Sequence, residues 1–531
     1  MKLRHDEKNL KCWKRNDWNE ENRNVLRSKQ ESKNRNARNE QRIGQNKACA
    51  TLVAEYLAAH GSSENAKLAK RNHRTERHCG TATIELRGVQ NKRSPLTLKR
   101  STIVIFKNIT MLDENLNVKN NMYIGIINDQ IDYIGNEMPE KEYGETYDGK
   151  GKLAMSAFYN AHAHSPMTLL RGYGENMNLQ DWLEQKIFPF EDKLNEGDIY
   201  WGTLLAMAES MRYGIVSSTD MYFLSDSMAK AVLDSGVKNN LSRAIVNFGT
   251  ENVKALPSYD EIGRLYKNYH NAGNGKVKID MSLHAEYTSN PETVRVISEY
   301  AKELGIHMHV HISETQFEHE ACKARHSKTP AQYFNDLGTF DVKTTAAHCV
   351  WLEGEDFDIL AQKGVTVATC PVSNMKLASG IANIPLLLQK GVNVAIGTDG
   401  VSSNNNLNFI EEMKFMACAA KVRDNDPTVV MPKEALYAAT KAGAKSQGRD
   451  DCGALKVGNK ADIIVLDIDK PHMHPVHDML TNLVYSASGS DVVLTMADGK
   501  VLYQNGEYKT IDIEKTMFET DKSTKRILSE L

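Results

Sequence analysis

The residues that could do chemistry stand at the ends of short apolar runs in the middle of the chain. His162 and His164 close the run KLAMSAFYNAHAH, and His311, His348 and Asp399 close three later runs. Two residues apart on a strand, His162 and His164 point to the same side. Three neutral imidazoles from this group, together with one carboxylate, suit a borderline divalent cation such as zinc and leave one position for water. Because such a cation can lower the pKa of its water from about 15.7 to about 7, the pattern indicates hydrolytic chemistry.

Glu314 lies three residues after His311, where the strand should turn into a loop. A carboxylate at that point could carry protons between the attacking water and a substrate nitrogen. It could equally cap a helix, since residues 313–315 (Ser-Glu-Thr) would begin one well. His307 and His309 share the face of His311, but only His311 is near enough to the strand end to reach a cation. We expect the other two to lie in the interior, below the site.

The elements that must position these side chains follow one repeating pattern. A short apolar run ends in a polar residue, and a helical stretch of 15–25 residues comes next. Eight such units predict a parallel sheet closed into a (β/α)8 barrel, whose carboxyl strand ends form the active face. An H-x-H pair alone is a weak signal, but a complete set at the ends of four runs is a strong one. The eight runs are KLAMSAFYNAHAH, YGIVSSTDM, SRAIVNFG, VKIDMSLHAE, IHMHVHISE, KTTAAHCV, VTVATCPVSN and VNVAIGTDG.

Strand-like segments also flank the barrel. STIVIFKNITML and NNMYIGIINDQIDYIGN precede it, and ADIIVLDID and DVVLTMADGKVLYQNGEY follow it. Their alternation of apolar and polar residues predicts a small β-sandwich built from both flanks. The expected divisions are a disordered basic leader (1–100), the first part of the sandwich (101–154), the barrel (155–452), the second part (453–510) and a C-terminal helix (511–531).

Charge is divided unevenly along the chain. Residues 1–100 carry 24 Lys+Arg against 11 Asp+Glu, and the remaining 431 residues carry 42 against 57. The polar leader cannot bury enough surface to fold alone, and its scattered basic residues lack the aromatic interleaving typical of nucleic-acid binding. A leader that does bind nucleic acid is the alternative. No signal-peptide core or run of 18 apolar residues occurs, and the eight cysteines form no CxxC pair. We therefore expect a cytoplasmic protein with reduced thiols and no membrane or nucleic-acid partner.

Longer motifs resemble one known family. HAHSPMTLLRGYGENMNLQDWLEQKIFPFE, HVHISET, AAHCVWL, CPVSNMKLASGIANIP and GTDGVSSNNNLN are similar to the methylthioadenosine/S-adenosylhomocysteine deaminases, in the chlorohydrolase-like branch of the amidohydrolase superfamily. The resemblance runs from about residue 101 to 510. It implies that adenine in 5′-methylthioadenosine, S-adenosylhomocysteine or a related adenosine is converted to the inosine-type product and ammonia.

The resemblance also implies residue roles. One divalent ion per chain, expected to be Zn²⁺ with Fe²⁺ or Mn²⁺ as alternatives, would be bound by His162, His164, His311 and Asp399. Glu314 would protonate the purine ring, His348 would steady the attacking hydroxide, and Asp399 would relay a proton to the leaving ammonia. The remaining substrate contacts implied are Trp182 and Glu191 near the ribose, His284 and Ser403 at the base, and Arg243 at an amino-acid carboxylate.

The chain departs from the family's pattern at a few positions, and other functions remain as alternatives. Residues 155–158 read Met-Ser-Ala-Phe where the family has Met-Pro-Gly-Phe, and no second carboxylate-binding arginine aligns, since Arg264 is out of register. His284 stands where two-metal relatives carry a lysine, which favours one metal. Another hydrolase of the branch (a guanine or pterin deaminase, or a triazine-type chlorohydrolase) is the main alternative, but those ring substrates offer no diol for Glu191. A metal-free binding protein is a further alternative, and homo-oligomerisation is left open.

Overall fold

The computed structural model describes residues 103–177, 179–247, 249 and 252–531. The predicted basic leader lies outside this part of the chain. Seventeen strands occur in the described residues. In chain order they are β1 (Ile103–Leu112), β2 (Val118–Ile127), β3 (Gln130–Gly135), β4 (Glu145–Asp148), β5 (Lys152–Ser156), β6 (Phe158–Ala163), β7 (Ile215–Tyr222), β8 (Lys238–Ile245), β9 (Val277–Leu283), β10 (Met308–Ile312), β11 (Thr344–His348), β12 (Thr366–Thr369), β13 (Asn393–Ile396), β14 (Ile463–Asp467), β15 (Val492–Ala497), β16 (Lys500–Gln504) and β17 (Glu507–Tyr508).

The eight central strands form the predicted (β/α)8 barrel. Strands β6 to β13 are parallel and lie side by side in sequence order. A parallel bridge between Ala163 and Asp399 joins the end of β6 to the segment after β13, which closes the barrel at its carboxyl face. Every residue of β6 and β7 is buried, as expected for strands covered by side chains inside and by helices outside.

Helices cover the outside of the barrel. α6 shows how the sequence sets their ends: the Asn290 side chain accepts the N–H of Thr293, Pro291 occupies the first turn, and Gly305 ends the helix in the left-handed conformation. The helices are α1 (Leu179–Trp182), α2 (Phe188–Glu191), α3 (Glu196–Arg212), α4 (Ser225–Ser235), α5 (Pro257–Tyr269), α6 (Pro291–Leu304), α7 (Gln316–His326), α8 (Pro330–Asp336), α9 (Asp356–Lys363), α10 (Pro371–Lys376), α11 (Ile384–Gln389), α12 (Val401–Asn404), α13 (Phe409–Asp424), α14 (Pro432–Tyr437), α15 (Gly443–Ser446), α16 (Met479–Thr481) and α17 (Ile513–Ser529).

The flanking strands form a second sheet of nine strands from both ends of the described chain. Its order is β17-β16-β15-β14-β5-β1-β2-β3, with β4 paired to β1. The antiparallel pairing of β5 with β14 brings the two flanks together. Apolar side chains such as Phe106, Ile126 and Val465 give this sheet a core of its own.

A buried ionic network ties the second sheet to the barrel. Lys238, the first residue of β8, lies 2.5 Å from Asp462 and 2.8 Å from Asp498. Tyr159 of β6 donates a hydrogen bond to the same Asp462 carboxylate at 2.5 Å. β8 therefore begins four residues before the apolar run predicted from the sequence, because its first residues are polar and are paired with distant partners. Among the described residues, no helix is long and apolar enough to cross a membrane.

Candidate active site

The four histidines and Asp399 converge at the carboxyl face of the barrel. His162 and His311 lie in β6 and β10, His348 is the last residue of β11, and Asp399 follows β13 by three residues. The ligand atoms of His162, His164 and Asp399 lie within 4.8 Å of one another, and so do those of His162, His311 and His348. The carboxyl ends of parallel strands meet on one face, which is why residues separated by more than 200 positions share this site.

Two backbone carbonyls set the tautomers of His164 and His311. His164 Nδ1 lies 2.6 Å from the carbonyl oxygen of Met221, and His311 Nδ1 lies 2.7 Å from that of His284. Because a carbonyl only accepts, both rings carry a hydrogen on Nδ1, and in the neutral form each presents the lone pair of Nε2. These two Nε2 atoms face each other at 3.4 Å, an arrangement that a bound cation or a proton between them would stabilise.

Asp399 completes the donor set. Its Oδ1 lies 3.4 Å from His162 Nε2 and 3.3 Å from His164 Nε2. His162 Nε2 is buried and has no hydrogen-bond partner among the described residues. A buried acceptor without a partner is costly, so a cation at this point would satisfy it. Imidazole nitrogens with one carboxylate are the ligands that zinc and similar divalent ions prefer, and the residues present therefore fit such an ion.

The charge state of the site follows from burial and from the Asp399 carboxylate. Burial lowers the pKa of His162 to about 3. Burial also disfavours the charged form of His164, but its bond to Asp399 outweighs this and raises its pKa to about 9. Burial opposes ionisation of Asp399, yet the neighbouring His162 and His164 rings hold its pKa well below the usual value. Asp399 is therefore an anion that attracts positive charge.

The other two histidines of this run, His309 in β10 and His307 directly before it, lie below the site, as expected. His309 is buried, and its Nε2 lies 2.8 Å from His162 Nδ1. His307 Nδ1 lies 3.2 Å from the carbonyl oxygen of Ser446. His309 thus orients a ring of the upper cluster, whereas His307 bonds to the helical segment beneath the barrel.

Glu314 faces the histidines and does not cap α7. Its Oε2 lies 3.9 Å from His348 Nε2. The cap of α7 comes instead from Thr315, whose side chain accepts the N–H of Glu318. The Glu318 carboxylate in turn accepts the N–H groups of Ser313 at 3.1 Å and Glu314 at 2.8 Å. Burial raises the pKa of Glu314, so its side chain is suited to holding a proton.

Three residues of the site have left-handed backbones although none is glycine. The φ angles of Ser313, His348 and Asp399 are 49°, 69° and 62°. Such conformations cost about 1–3 kcal/mol each and persist only where the surroundings hold them. His348 ends β11, and Ser313 and Asp399 follow β10 and β13 by one and three residues, so all three lie where a barrel strand turns into its loop.

Glu191 belongs to the segment that follows β6. It lies partly buried in α2, and its Oε1 accepts a hydrogen bond from the Tyr222 hydroxyl at 2.6 Å. Burial raises the pKa of Glu191 to about 7, and the bond from Tyr222 opposes that rise. Tyr222 ends β7, directly after Met221, which accepts from His164. The Glu191 carboxylate is therefore linked through two adjacent residues to the histidine cluster.

The remaining predicted site residues fall into two groups. His284 and Ser403 are in the cluster: the His284 ring centre lies 4.9 Å from that of His311, and Ser403 Oγ lies 3.1 Å from Asp399 Oδ2. Burial lowers the pKa of His284 to about 4. Trp182 is buried in α1, and Arg243 Nε lies 2.8 Å from Glu261 Oε2. No hydrogen bond, ion pair or ring contact among the described residues joins Trp182 or Arg243 to the histidines.

Several residues with a part in this arrangement were not singled out by the sequence analysis. Tyr222, Ser373, Asn374 and Glu318 each hydrogen-bond a predicted site residue. Ser373 and Asn374 stand inside the motif CPVSNMKLASGIANIP, which was noted only as part of a resemblance. That motif was the one signal that could have found them.

Comparisons with known proteins agree with this fold. The profile of the amidohydrolase family matches residues 153–502. The 5-methylthioadenosine/S-adenosylhomocysteine deaminase of Thermoanaerobacter pseudethanolicus is 40% identical over 428 residues, which cover 80% of this chain and 99% of that protein. The protein of the same name from Dictyoglomus thermophilum is 42% identical over 375 residues, covering 71% of this chain and 87% of that protein.

Solved structures share the architecture. A zinc-bound adenosine deaminase from Xanthomonas campestris has a TM-score of 0.76 and 27% identity, covering 80% of this chain and 98% of that one. An atrazine chlorohydrolase from Arthrobacter aurescens has a TM-score of 0.74 and 21% identity, and the match covers 79% of this chain and 100% of that one. This likeness is one of fold alone. The chain therefore belongs to the amidohydrolase family and, within it, to the 5-methylthioadenosine/S-adenosylhomocysteine deaminases. It is a metal-dependent hydrolytic deaminase, as the sequence resemblance predicted.

Proposed function

We propose that this enzyme replaces the amino group at C6 of 5′-methylthioadenosine, S-adenosylhomocysteine or a related adenosine with oxygen from water and releases ammonia. The observation that carries the proposal is the group of buried histidines and Asp399 at the barrel mouth, with the Glu314 carboxyl 3.9 Å from His348. The names of the relatives, which align over nearly their whole length, support the substrate class.

One divalent ion, which we take to be zinc, would be held by His162, His164, His311 and Asp399. The facing Nε2 atoms and the unpartnered Nε2 of His162 support this set. When bound, the ion makes water acidic enough to act as a nucleophile at neutral pH. His284, a partly buried imidazole near this set, stands where two-metal relatives carry a lysine, which favours a site for a single ion.

Glu314 and His348 would move the protons. Glu314 holds a proton readily because burial raises its pKa, so it can donate to a purine ring nitrogen. His348 carries its hydrogen on Nδ1, since that atom lies 2.9 Å from Asn374 Oδ1, and it therefore presents the lone pair of Nε2 toward Glu314. Together they can accept a proton from water and return one to the substrate. Asp399 would pass the last proton to the leaving ammonia.

The substrate would be recognised by side chains around the barrel mouth. Glu191 would accept hydrogen bonds from the ribose hydroxyls beside Trp182, and His284 and Ser403 would contact the base. The partial burial of Glu191 supports this role, because Tyr222 bonds only Oε1 of the carboxylate and a buried acceptor left without a partner costs about 1–3 kcal/mol. Arg243 would bind a substrate carboxylate only in competition with Glu261. Adenosines with neutral 5′ groups are therefore expected to rival S-adenosylhomocysteine.

We also infer that the enzyme works in the cytoplasm on a small-molecule substrate and water, without a membrane or nucleic-acid partner and with homo-oligomerisation left open, and the five described cysteines, all free thiols, suit a reducing compartment. An ammonia-release screen tests the substrate. It compares 5′-methylthioadenosine, S-adenosylhomocysteine and adenosine with adenine, guanine, a pterin and a chlorotriazine. Nucleosides should exceed free adenine by at least about 10²-fold in kcat/KM, the upper end of the cost of an unpaired Glu191. Activity confined to free bases or to the triazine would contradict the proposal.

A further inference from the structure

Two adjacent residues of α10 reach two different groups of the candidate active site. Ser373 Oγ donates a hydrogen bond to Asp399 Oδ2 at 2.6 Å, and Asn374 Oδ1 accepts one from His348 Nδ1 at 2.9 Å. Ser373 is fully buried and Asn374 is 2% exposed. The barrel topology explains the reach: β12, which leads into α10, lies between β11, which ends in His348, and β13, which precedes Asp399.

Ser373 acts on the orientation of the Asp399 carboxylate. Oδ1 of Asp399 faces the histidines and accepts the N–H of Gly400 at 2.7 Å. Oδ2 points the other way, toward the Ser373 hydroxyl and toward Ser403 Oγ at 3.1 Å. The two hydroxyls are themselves 2.8 Å apart. Rotation of the carboxylate would break these contacts in a buried place, so the hydroxyls keep Oδ1 aimed at the histidines.

Asn374 acts on the orientation and the tautomer of His348. An amide oxygen only accepts, so the ring hydrogen stays on Nδ1 and Nε2 faces Glu314 as an acceptor. Turning the ring over would leave both a buried amide oxygen and a buried N–H without a partner. His348 and Asp399 both have left-handed backbones, and contacts from outside their own loops are what hold them.

We propose that Ser373 and Asn374 are positioning residues, which hold the Asp399 carboxylate and the His348 ring in a fixed relation from one turn of α10. The reaction concerned is the deamination proposed above. Neither residue touches the substrate. Their effect is on kcat, because both groups they orient handle protons in the chemical step and neither is needed to bind the ribose.

The test compares three variants with one control, using the nucleoside with the highest turnover. Asn374→Leu removes the acceptor at similar size, and Asn374→Asp restores an oxygen there. Ser373→Ala removes one hydroxyl. Its matched control is Ser298→Ala, because Ser298 is also a buried serine, but it lies on the outer helix α6 and its hydroxyl bonds Thr339. Asn374→Leu should lower kcat about 10- to 100-fold and Ser373→Ala about 10-fold, with KM within about threefold. Asn374→Asp should recover most of the loss, and the control should keep full kcat.

Two further measurements separate positioning from loss of structure or metal. Thermal melting and metal content should stay close to those of the control variant. In ¹⁵N-histidine spectra, His348 should show a hydrogen-bonded Nδ1–H that Asn374→Leu removes. Unchanged kcat, a loss confined to KM, a fall in kcat that follows metal content, or an unaltered His348 signal would overturn the proposal. The spectra require no turnover, so a failed substrate assignment would leave this part of the test intact.

Discussion

Replacing Tyr222 with Phe removes the hydroxyl that lies 2.6 Å from Glu191 Oε1 and leaves the ring in place. Glu191 is partly buried, and its pKa is about 7 because loss of solvent raises it while the Tyr222 bond opposes that rise. Only the ionised carboxylate can accept hydrogen bonds from both ribose hydroxyls. In the unaltered enzyme, kcat/KM for a nucleoside should therefore fall as the pH drops through about 7.

The size of the effect follows from the lost bond. A hydrogen bond to a charged group contributes about 1.5–3 kcal/mol, and 1.36 kcal/mol corresponds to about one pH unit in a pKa. In the Phe variant the pKa of Glu191 should thus be higher, so the acidic limb of the pH profile, where kcat/KM falls, should move upward by about one to two pH units. Since a group with a pKa of about 7 is only half ionised at pH 7, the loss in kcat/KM at that pH should be about 5- to 50-fold, carried mainly by KM.

Steady-state ammonia release from 5′-methylthioadenosine between pH 5.5 and 9 measures both quantities. Tyr333→Phe is the control, because it removes another buried tyrosine hydroxyl, one bonded to Ser289 O at 3.3 Å on the outside of the barrel. Adenine, which lacks ribose, should respond little to Tyr222→Phe. An acidic limb that stays in place, or equal losses for adenine and the nucleoside, would refute the role given to the Tyr222–Glu191 pair.

Three other substitutions test separate parts of the site. Glu314→Gln should keep metal and substrate binding yet lose about 10²- to 10⁴-fold in kcat, because an amide cannot deliver the proton; near-full turnover by ammonia assay would require another acid. Asp399→Ala should reduce bound metal from about one ion per chain to a small fraction by elemental analysis, since it removes the anionic ligand; two ions in the unaltered enzyme would contradict the single-ion site. Arg243→Met should weaken S-adenosylhomocysteine and spare 5′-methylthioadenosine in kcat/KM. Equal losses for both would mean that the Arg243–Glu261 pair is structural.

The barrel and the cluster at its mouth could be predicted because they depend on short-range pattern and on one rule of topology. Apolar runs ending in His162, His311 and His348 predicted strands, and the rule that carboxyl strand ends share a face brought those residues together. The start of β8 at Lys238 could not be predicted in this way. Its first three residues are polar and buried, and Lys238 is stabilised by Asp462, 224 positions away.

The residues that hold the site in place could not be predicted either, because their partners are also distant in the sequence. Asn374 bonds His348 across 26 positions, Tyr222 bonds Glu191 across 31, and His309 bonds His162 across 147. No local periodicity marks such pairs. For Glu314 the sequence allowed two roles, proton transfer and helix capping, because residues 313–315 resemble a helix start. The structure assigns the cap to Thr315, which leaves Glu314 free to face His348.

Turnover in ¹⁸O-labelled water tests the central claim most directly. With 5′-methylthioadenosine as substrate, hydrolysis at C6 predicts one ¹⁸O atom in the purine product, one ammonia per product, and an intact bond between base and ribose. Mass spectrometry of the product, with ammonia measured in the same samples, gives all three results. Release of free adenine, or product formed without ammonia and without label in the purine, would contradict the account.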